Sequence, residues 1–229
     1  MLNKKTLKVI QSLNPISNKM IFSYPVSSIR EGKSIQAFID MSKLDEEEFN
    51  EFGIYSLSDF ISAVSLIDNP DISLKDKTIK ISNKKSSINY NTSSVELLED
   101  ECSCDLSLLE RVKKNEKIAN FELTTEDFKN LKTASNTLKD LPNLILSSSK
   151  SGILLKIQGL EKSSNSFETI IDGESNEDFA VTANLSLLKR IPNGNYSVSI
   201  YKSKTDSRVM LFNSTDIDSL EILLAVAKS

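Results

Sequence analysis

Residues 124–141 read TTEDFKNLKTASNTLKDL and predict one helix with two unlike faces. At about 100° per residue, the apolar arc holds Phe128, Leu131, Ala134, Ser135, Leu138 and Leu141. The opposite arc holds Lys129, Lys132, Asn136 and Lys139. A hydroxyl of Thr124 or Thr125 can cap the start of the helix, and Pro142 ends it. We therefore expect one face to pack on a core while the other presents cations.

A second helix with a lysine face is predicted at residues 1–14. Its apolar positions are Leu7, Val9, Ile10 and Leu13, and its polar positions are Lys4, Lys5, Lys8 and Gln11. Most surface helices carry lysine opposite their core simply for solubility, so one such helix would mean little. Two of them in a chain of net charge −4 favour a local basic surface surrounded by acidic ones. Lysines without interleaved aromatics suit sequence-independent phosphate contact.

Composition argues against several functional classes, namely proteins with a wholly basic surface, membrane proteins and histidine-dependent enzymes. The length of 229 residues fits one large domain or two small ones, and a hydrophobic content of 39% is enough for a core. The acidic net charge argues against a surface that is basic all over. No apolar run approaches the ~18 to 20 residues of a membrane span, so we expect a soluble, unexported protein without a membrane partner. The chain lacks histidine, the commonest general base and metal ligand.

Motifs for enzymatic chemistry are weak or missing. GxxxxGK[ST] and GxGxxG do not occur, and Ser147–Lys150 fits SxxK without its SDN and KTG companions, so a hairpin turn explains it better. Cys102 and Cys104 are too close for an ordinary disulfide and too few for zinc, and are interpreted as small residues of an exposed linker. The acidic run Asp45–Glu48 is interpreted as solvated, with a cation site as the alternative. We predict no catalytic residue, no metal and no cofactor.

The order of predicted elements repeats. Both halves read lysine-faced helix, hairpin strands, short helix, three strands, and a repeat at half the chain length indicates duplication. In the first half the strands are predicted at 19–24, 26–31, 34–40, 49–55, 72–74, 78–82 and 86–90, with a helix at 58–67. In the second half they are predicted at 117–123, 143–148, 152–158, 167–171, 196–201, 208–212 and 220–227, and residues 179–181 lead into a short helix at 182–190. The predicted domains are 1–90 and 116–229, joined by an acidic connector at 91–115 whose leucines could form a short docked helix.

Two stretches resemble the DNA polymerase sliding clamps of T-even-type bacteriophages. The first is GIYSLSDFISAVSLI at 53–67, followed by Asp71-Ile72-Ser73 and Thr78–Ile81. The second is Pro192-Asn193-Gly194-Asn195-Tyr196, which leads into a strand ending in Tyr201-Lys202. These are structural motifs, and the resemblance extends over most of the chain.

The resemblance implies an α+β, duplicated DNA-clamp fold: two similar domains, each with two helices packed on antiparallel sheet, assembling as a homotrimer into a closed ring around double-stranded DNA. The implied DNA-facing residues are Lys4, Lys5, Lys8, Lys129, Lys132, Lys139, Lys189 and Arg190. It further implies a non-enzymatic processivity factor that acts in the host cell cytoplasm. The implied partners are a DNA polymerase and an ATP-dependent clamp loader.

Partner peptides would dock in an apolar pocket near the connector. Tyr201 matches the pocket aromatic, which is often Trp in the phage family, and Ile35, Leu224 and Val226 are assigned to the same surface. The connector departs from the Pro-rich linker expected in that family, because it is acidic and contains both cysteines. A monomeric clamp-like adaptor that binds only proteins is the alternative function, and an enzyme is the third.

Overall fold

The computed structural model describes residues 2–138, 141–159 and 165–228. The chain divides into two compact units, Met1–Cys104 and Asp105–Ser229. The division falls inside the predicted connector 91–115, and the three-part boundaries drawn from the sequence stay a prediction.

The first unit contains two longer helices and seven antiparallel strands. In chain order these are α1 Lys4–Leu13, β1 Met20–Phe22, β2 Val26–Glu31, β3 Ile35–Asp40, β4 Phe52–Ile54, α2 Leu57–Ser65, β5 Asp71–Lys75, β6 Thr78–Ser82 and β7 Ser87–Asn91. Short 3-10 helices lie at Met41–Leu44 and Val95–Leu97, and α3 follows at Glu99–Cys102. The strands pair in the order β4-β1-β2-β3 and in a separate meander β5-β6-β7.

The second unit has the same kinds of element. In chain order these are α4 Leu106–Lys113, β8 Glu116–Leu123, α5 Thr125–Thr137, β9 Asn143–Ser149, β10 Gly152–Gln158, β11 Ser166–Ile171, β12 Gly173–Ser175, β13 Ala180–Asn184, α6 Leu185–Leu188, β14 Tyr196–Lys202, β15 Arg208–Ser214 and β16 Leu220–Lys228. Its strands pair in the order β11-β10-β9-β13-β16-β15-β14-β8-β12.

Strand pairing confirms the duplication that the element order predicted. The spatial strand order β4-β1-β2-β3 in the first unit corresponds to β13-β9-β10-β11 in the second. The meander β5-β6-β7 corresponds to β14-β15-β16. In the second unit β13 also pairs with β16. The first unit keeps a remnant of that pairing as a single bridge between Gly53 and Ser93. Each unit is therefore one copy of the same helix-and-sheet plan.

Aromatic side chains anchor a helix in each unit. Phe128 of α5 is fully buried and packs against Tyr196 and Phe212, with ring centroids 5.6 and 6.4 Å away. Phe60 of α2 packs in the same way against Phe22 and Tyr90, at 6.5 and 5.4 Å. Burial of each phenylalanine contributes about 1.5 to 3 kcal/mol, so these contacts fix which helix face points outward.

Helix α5 ends earlier than predicted. It stops at Thr137, and Leu138 is extended with φ −94° and ψ 92°. Pro142 restricts only the residue directly before it, while Thr133, Ser135, Asn136 and Thr137 all have low helix propensity. Lys139 lies outside the described residues. The predicted N-cap is confirmed, because Thr124 and Asp127 form a capping box.

The predicted helix 182–190 is wrong over its first three residues. Ala180–Asn184 is strand β13, and α6 covers only Leu185–Leu188. Val181 and Thr182 are β-branched and favour the strand, and the Asn184 side chain accepts the Ser186 N–H at 2.8 Å to start the helix. Strand β12 had no counterpart in the sequence-based prediction.

The cysteines lie in the core of the first unit rather than in an exposed linker. Cys102 has no exposed surface and packs with Ile21 and Leu98, and Cys104 is 7% exposed. Leu98 and Cys102 are four residues apart and so share the apolar side of the α3 turn. Arg30 fastens this turn by donating to the backbone oxygens of Asp100 and Glu101 at 2.6 and 3.2 Å. Within the described residues, no helix is long and apolar enough to cross a membrane.

Candidate nucleic-acid interface

A buried carboxylate fixes the start of α1, the first lysine-bearing helix. Asn3 is the N-cap, and its Oδ1 accepts from the backbone nitrogens of Lys5 and Thr6 at 2.8 and 3.0 Å. Glu46 is only 6% exposed and accepts from Asn3 N at 2.7 Å and from the Thr6 hydroxyl. The predicted solvated state of the acidic run is therefore wrong for Glu46, whose negative charge lies at the positive end of the helix dipole.

The three predicted lysines of α1 are all exposed. Lys4 Nζ lies 2.7 Å from Asn69 Oδ1, in the turn that follows α2. Lys5 Nζ lies 2.9 Å from Asp45, with the two side chains 71% and 75% exposed. A pair so open to water contributes little stability, and it leaves the Lys5 ammonium accessible to another anion. Lys4, Lys5 and Lys8 thus give the first unit a cationic helix surface.

Helix α2 does not extend this surface. Its exposed positions include Ser58, Asp59, Ser62 and Ser65, and it has no lysine. The hydroxyls of Ser62 and Ser65 donate back to the oxygens of Ser58 and Ile61, each at 2.8 Å. The cationic charge of the first helix pair is therefore confined to α1.

In the second unit the α5 face starts with an exposed lysine. The capping box at Thr124 and Asp127 orders the first turn, and Asn195 Oδ1 accepts the Thr125 N–H at 2.8 Å. Phe128 then points into the core, which leaves Lys129 on the exposed side. Its position matches the prediction from helical periodicity.

Lys132 differs from the other predicted lysines. Its side chain is half-buried, and its Nζ donates to Ile191 O at 2.8 Å and to Asn193 Oδ1 at 2.7 Å. The ammonium also lies 5.0 Å from the centroid of the Phe128 ring. Burial lowers the pKa of Lys132 to about 8. This ammonium is engaged inside the unit, between α5 and the turn that precedes β14.

The short helix α6 also contacts α5. Lys189 is half-buried, and its Nζ donates to Asn136 Oδ1 at 3.0 Å. Arg190 is half-buried in the following turn. The structure thus brings the ends of α5 and α6 together, as a second helix pair with basic side chains. The DNA-facing assignment of all these residues stays a prediction.

Strand register places the predicted peptide-pocket residues of the second unit on two faces of its sheet. Tyr201 lies opposite Val209, which in turn lies opposite Ala225, so these three share one face of the sheet. Leu224 and Val226 alternate with Ala225 and point to the other face, and Leu224 has no exposed surface. Ile35, in the first unit, is also fully buried. Partner binding by these four residues stays a prediction, and the register separates Tyr201 from Leu224 and Val226.

Helical periodicity did not identify the asparagines that organise these surfaces. Asn193 holds Lys132, Asn195 caps α5 and Asn69 holds Lys4. All three lie in turns next to proline or glycine, where asparagine is favoured because its side chain bonds nearby backbone. Proline, glycine and asparagine in the sequence predicted the turns. They could not predict the hydrogen-bond partners of these asparagines, which lie up to 70 residues away in sequence.

Comparison with known proteins finds sequence similarity to a curated phage protein. No protein-family model matches the chain. Over 145 residues the chain is 26% identical to the sliding clamp of Vibrio phage KVP40, and the matched part covers 60% of each protein. The match thus spans less than two thirds of the relative's length. The resemblance to phage sliding clamps that the sequence predicted is confirmed by this similarity.

Solved structures with the same fold cover nearly the whole chain. PCNA from A. fulgidus, solved with the C-terminal region of FEN-1, superposes with a TM-score of 0.66 at 13% identity over 97% of this chain and 95% of that one. PCNA from Entamoeba histolytica superposes with a TM-score of 0.67 at 17% identity, over 96% of this chain and 94% of that one. PCNA from Thermococcus kodakaraensis superposes with a TM-score of 0.68 at 10% identity, over 98% of this chain and 96% of that one. The predicted duplicated clamp fold is therefore confirmed, while closure into a ring stays a prediction.

Proposed function

We propose that this protein is a DNA sliding clamp that encircles duplex DNA as a homotrimeric ring and tethers a replicative DNA polymerase. The observation that carries the proposal is the similarity to a phage sliding clamp in a chain whose clamp fold extends over almost its full length. The protein contributes a tether and no catalysis. The proposed site of action is the cytoplasm of an infected host cell.

The electrostatics support sequence-independent contact with DNA. Lys4, Lys5, Lys8 and Lys129 are exposed on two helices of an acidic chain, and lysine ammonium groups suit phosphates rather than base edges. A ring holds its DNA by enclosure, so a modest number of loose, partly water-mediated phosphate contacts is sufficient. The net charge of −4 keeps the remaining surface from attracting DNA.

The proposed protein partners are the polymerase and an ATP-dependent clamp loader. One of the structural neighbours was solved with a C-terminal region of FEN-1 bound to it, so a protein of this fold binds a terminal segment of another protein. In this chain the face shared by Tyr201, Val209 and Ala225 is apolar and partly exposed. We assign partner-peptide contact in the second unit to this face.

Retention on circular DNA tests the proposal. The protein is loaded with its clamp loader onto nicked circular DNA, the unbound fraction is removed, and the DNA is then either left circular or cut once. An encircling ring stays on the circle and slides off the cut ends. Retention that survives cutting would contradict encirclement.

Oligomer mass tests the assembly separately. Light scattering at micromolar concentration is expected to give a particle of three 25.5-kDa chains. A strictly monomeric protein would contradict a stable ring and would point instead to an adaptor that binds proteins only.

A further inference from the structure

We propose that Lys132 is a positioning residue of the DNA-facing surface, which ties α5 to the Pro192–Gly194 turn and does not itself contact phosphate. The inference rests on the proposed function, because it concerns which lysines of the clamp meet DNA. It separates Lys132 from Lys129, three residues earlier on the same helix and placed on the same cationic arc by periodicity.

The geometry around Lys132 Nζ leaves little capacity for an outside anion. Two of its three N–H donors point to Ile191 O and Asn193 Oδ1, at 2.8 and 2.7 Å, and the Phe128 ring lies beneath it. One N–H donor remains, but Lys132 is half-buried, and withdrawing its ammonium toward solvent to meet a phosphate would break at least one of these bonds, leaving a carbonyl or amide oxygen without its donor. Lys129, in contrast, is exposed.

The turn that receives Lys132 is itself fixed to α5 and to the core. Asn195 Oδ1 accepts the Thr125 N–H, and the Tyr196 hydroxyl donates to Pro192 O at 2.9 Å. Tyr196 packs against Phe128. The segment 191–196 therefore contacts α5 at Thr125, at Phe128 and at Lys132. Asn136, which receives Lys189 from α6, lies about one helical turn after Lys132 on α5. Breaking the tie would therefore loosen the part of α5 that carries the second basic contact.

The first unit has a corresponding bond. Lys4 Nζ of α1 lies 2.7 Å from Asn69 Oδ1, in the turn after α2, just as Lys132 of α5 bonds Asn193 in the turn after α6. In both units a lysine of the lysine-faced helix, α1 or α5, thus bonds the turn that follows the other helix of the pair, α2 or α6. Both lysine–asparagine bonds are exposed, but Lys132 makes a second, part-buried bond to Ile191 O, which is better protected from water.

Salt dependence separates a positioning residue from a phosphate contact. The full-length protein carrying Lys132→Met, Asn193→Ala or Lys129→Met is compared with the unsubstituted protein for binding to a labelled duplex of about 30 base pairs, at about 20 to 200 mM salt. Lys129→Met is expected to flatten the slope of log affinity against log salt by up to ~0.9 for each phosphate that the protein no longer neutralises. Lys132→Met and Asn193→Ala are expected to lower affinity a few-fold at every salt concentration, giving lines parallel to the unsubstituted protein.

A double-mutant cycle tests the tie without DNA. Because the bond joins a charged donor to an amide, Lys132→Met and Asn193→Ala combined should change the unfolding equilibrium constant about tenfold less than the product of their separate effects. A flattened salt slope for Lys132→Met, unchanged affinity, or multiplicative effects on unfolding would each overturn the inference. If the unsubstituted protein shows no salt-dependent DNA binding, the proposed function fails, and the cycle alone then supports or refutes the tie.

Discussion

Asn195 Oδ1 lies 2.8 Å from the backbone nitrogen of Thr125, although the two residues are 70 positions apart in sequence. The bond satisfies one of the N–H groups that the first turn of α5 leaves without a helical acceptor. Asp216 holds Asn195 in place by accepting from its backbone nitrogen at 2.8 Å and from its Nδ2 at 2.9 Å. These hydrogen bonds from Asn195 lower the pKa of Asp216.

Removing this amide should destabilise the second unit. Asn195→Ala deletes the acceptor for Thr125 and the donor to Asp216, so we expect a decrease of about 1 to 2 kcal/mol in the free energy of unfolding, measured by urea titration. Asn130→Ala is the matched control, because Asn130 is exposed on α5 and the change slightly improves helix propensity. Equal decreases for the two variants would show that the cap contributes nothing.

The buried carboxylate at the start of α1 should be equally sensitive. Glu46→Ala leaves the Thr6 hydroxyl and the Asn3 N–H without their acceptor, at an expected cost of about 1 to 3 kcal/mol in unfolding free energy. Glu47→Ala changes a neighbouring exposed carboxylate and should alter the unfolding free energy by less than about 0.5 kcal/mol. Urea unfolding of both proteins measures the difference, and a similar small effect for Glu46→Ala would refute its role.

Local sequence patterns predicted much of this fold, because apolar spacing and turn residues indicate where its helices and hairpins form. The spacing of Phe128 and Leu131 predicted the buried side of α5, and Gly32 at φ 54° sits in the hairpin turn predicted between β2 and β3. The repeated order of elements predicted the duplication, and the corresponding strands of the two units pair in the same order.

Local patterns could not predict side-chain contacts that depend on residues distant in sequence. Periodicity placed Lys132 on the cationic arc, but a turn about 60 residues later provides acceptors that draw its ammonium inward. Alternation within β16 could not show that Tyr201 shares a face with Ala225 instead of Leu224, because strand register is set by pairing. Side-chain contacts across long loops are not encoded in any one segment.

Charge on α1 should matter for DNA, whereas charge on the meander should not. Lys8→Met keeps the apolar stem of an exposed α1 lysine and removes its ammonium, so we expect a flatter dependence of duplex binding on salt. Lys84→Met makes the same change in the exposed turn between β6 and β7 and should leave that slope unaltered. Equal slopes for the two variants in an anisotropy titration would remove α1 from the DNA-facing surface.

Stability should rise with pH through the Lys132 ammonium. Burial lowers its folded pKa to about 8 from 10.5, so below pH 8 it is charged in both the folded and unfolded states, and the burial cost is present. Between these values the folded lysine is neutral while the unfolded lysine still holds its proton, and the folded state therefore gains stability as pH rises. Since the site is only half-buried, we expect a gain of no more than about 1 to 2 kcal/mol between about pH 7 and pH 10. The test is the difference in urea unfolding free energy between the unsubstituted protein and Lys132→Met at both pH values; a difference that stays constant, or that favours Lys132→Met more at high pH, would contradict the lowered pKa.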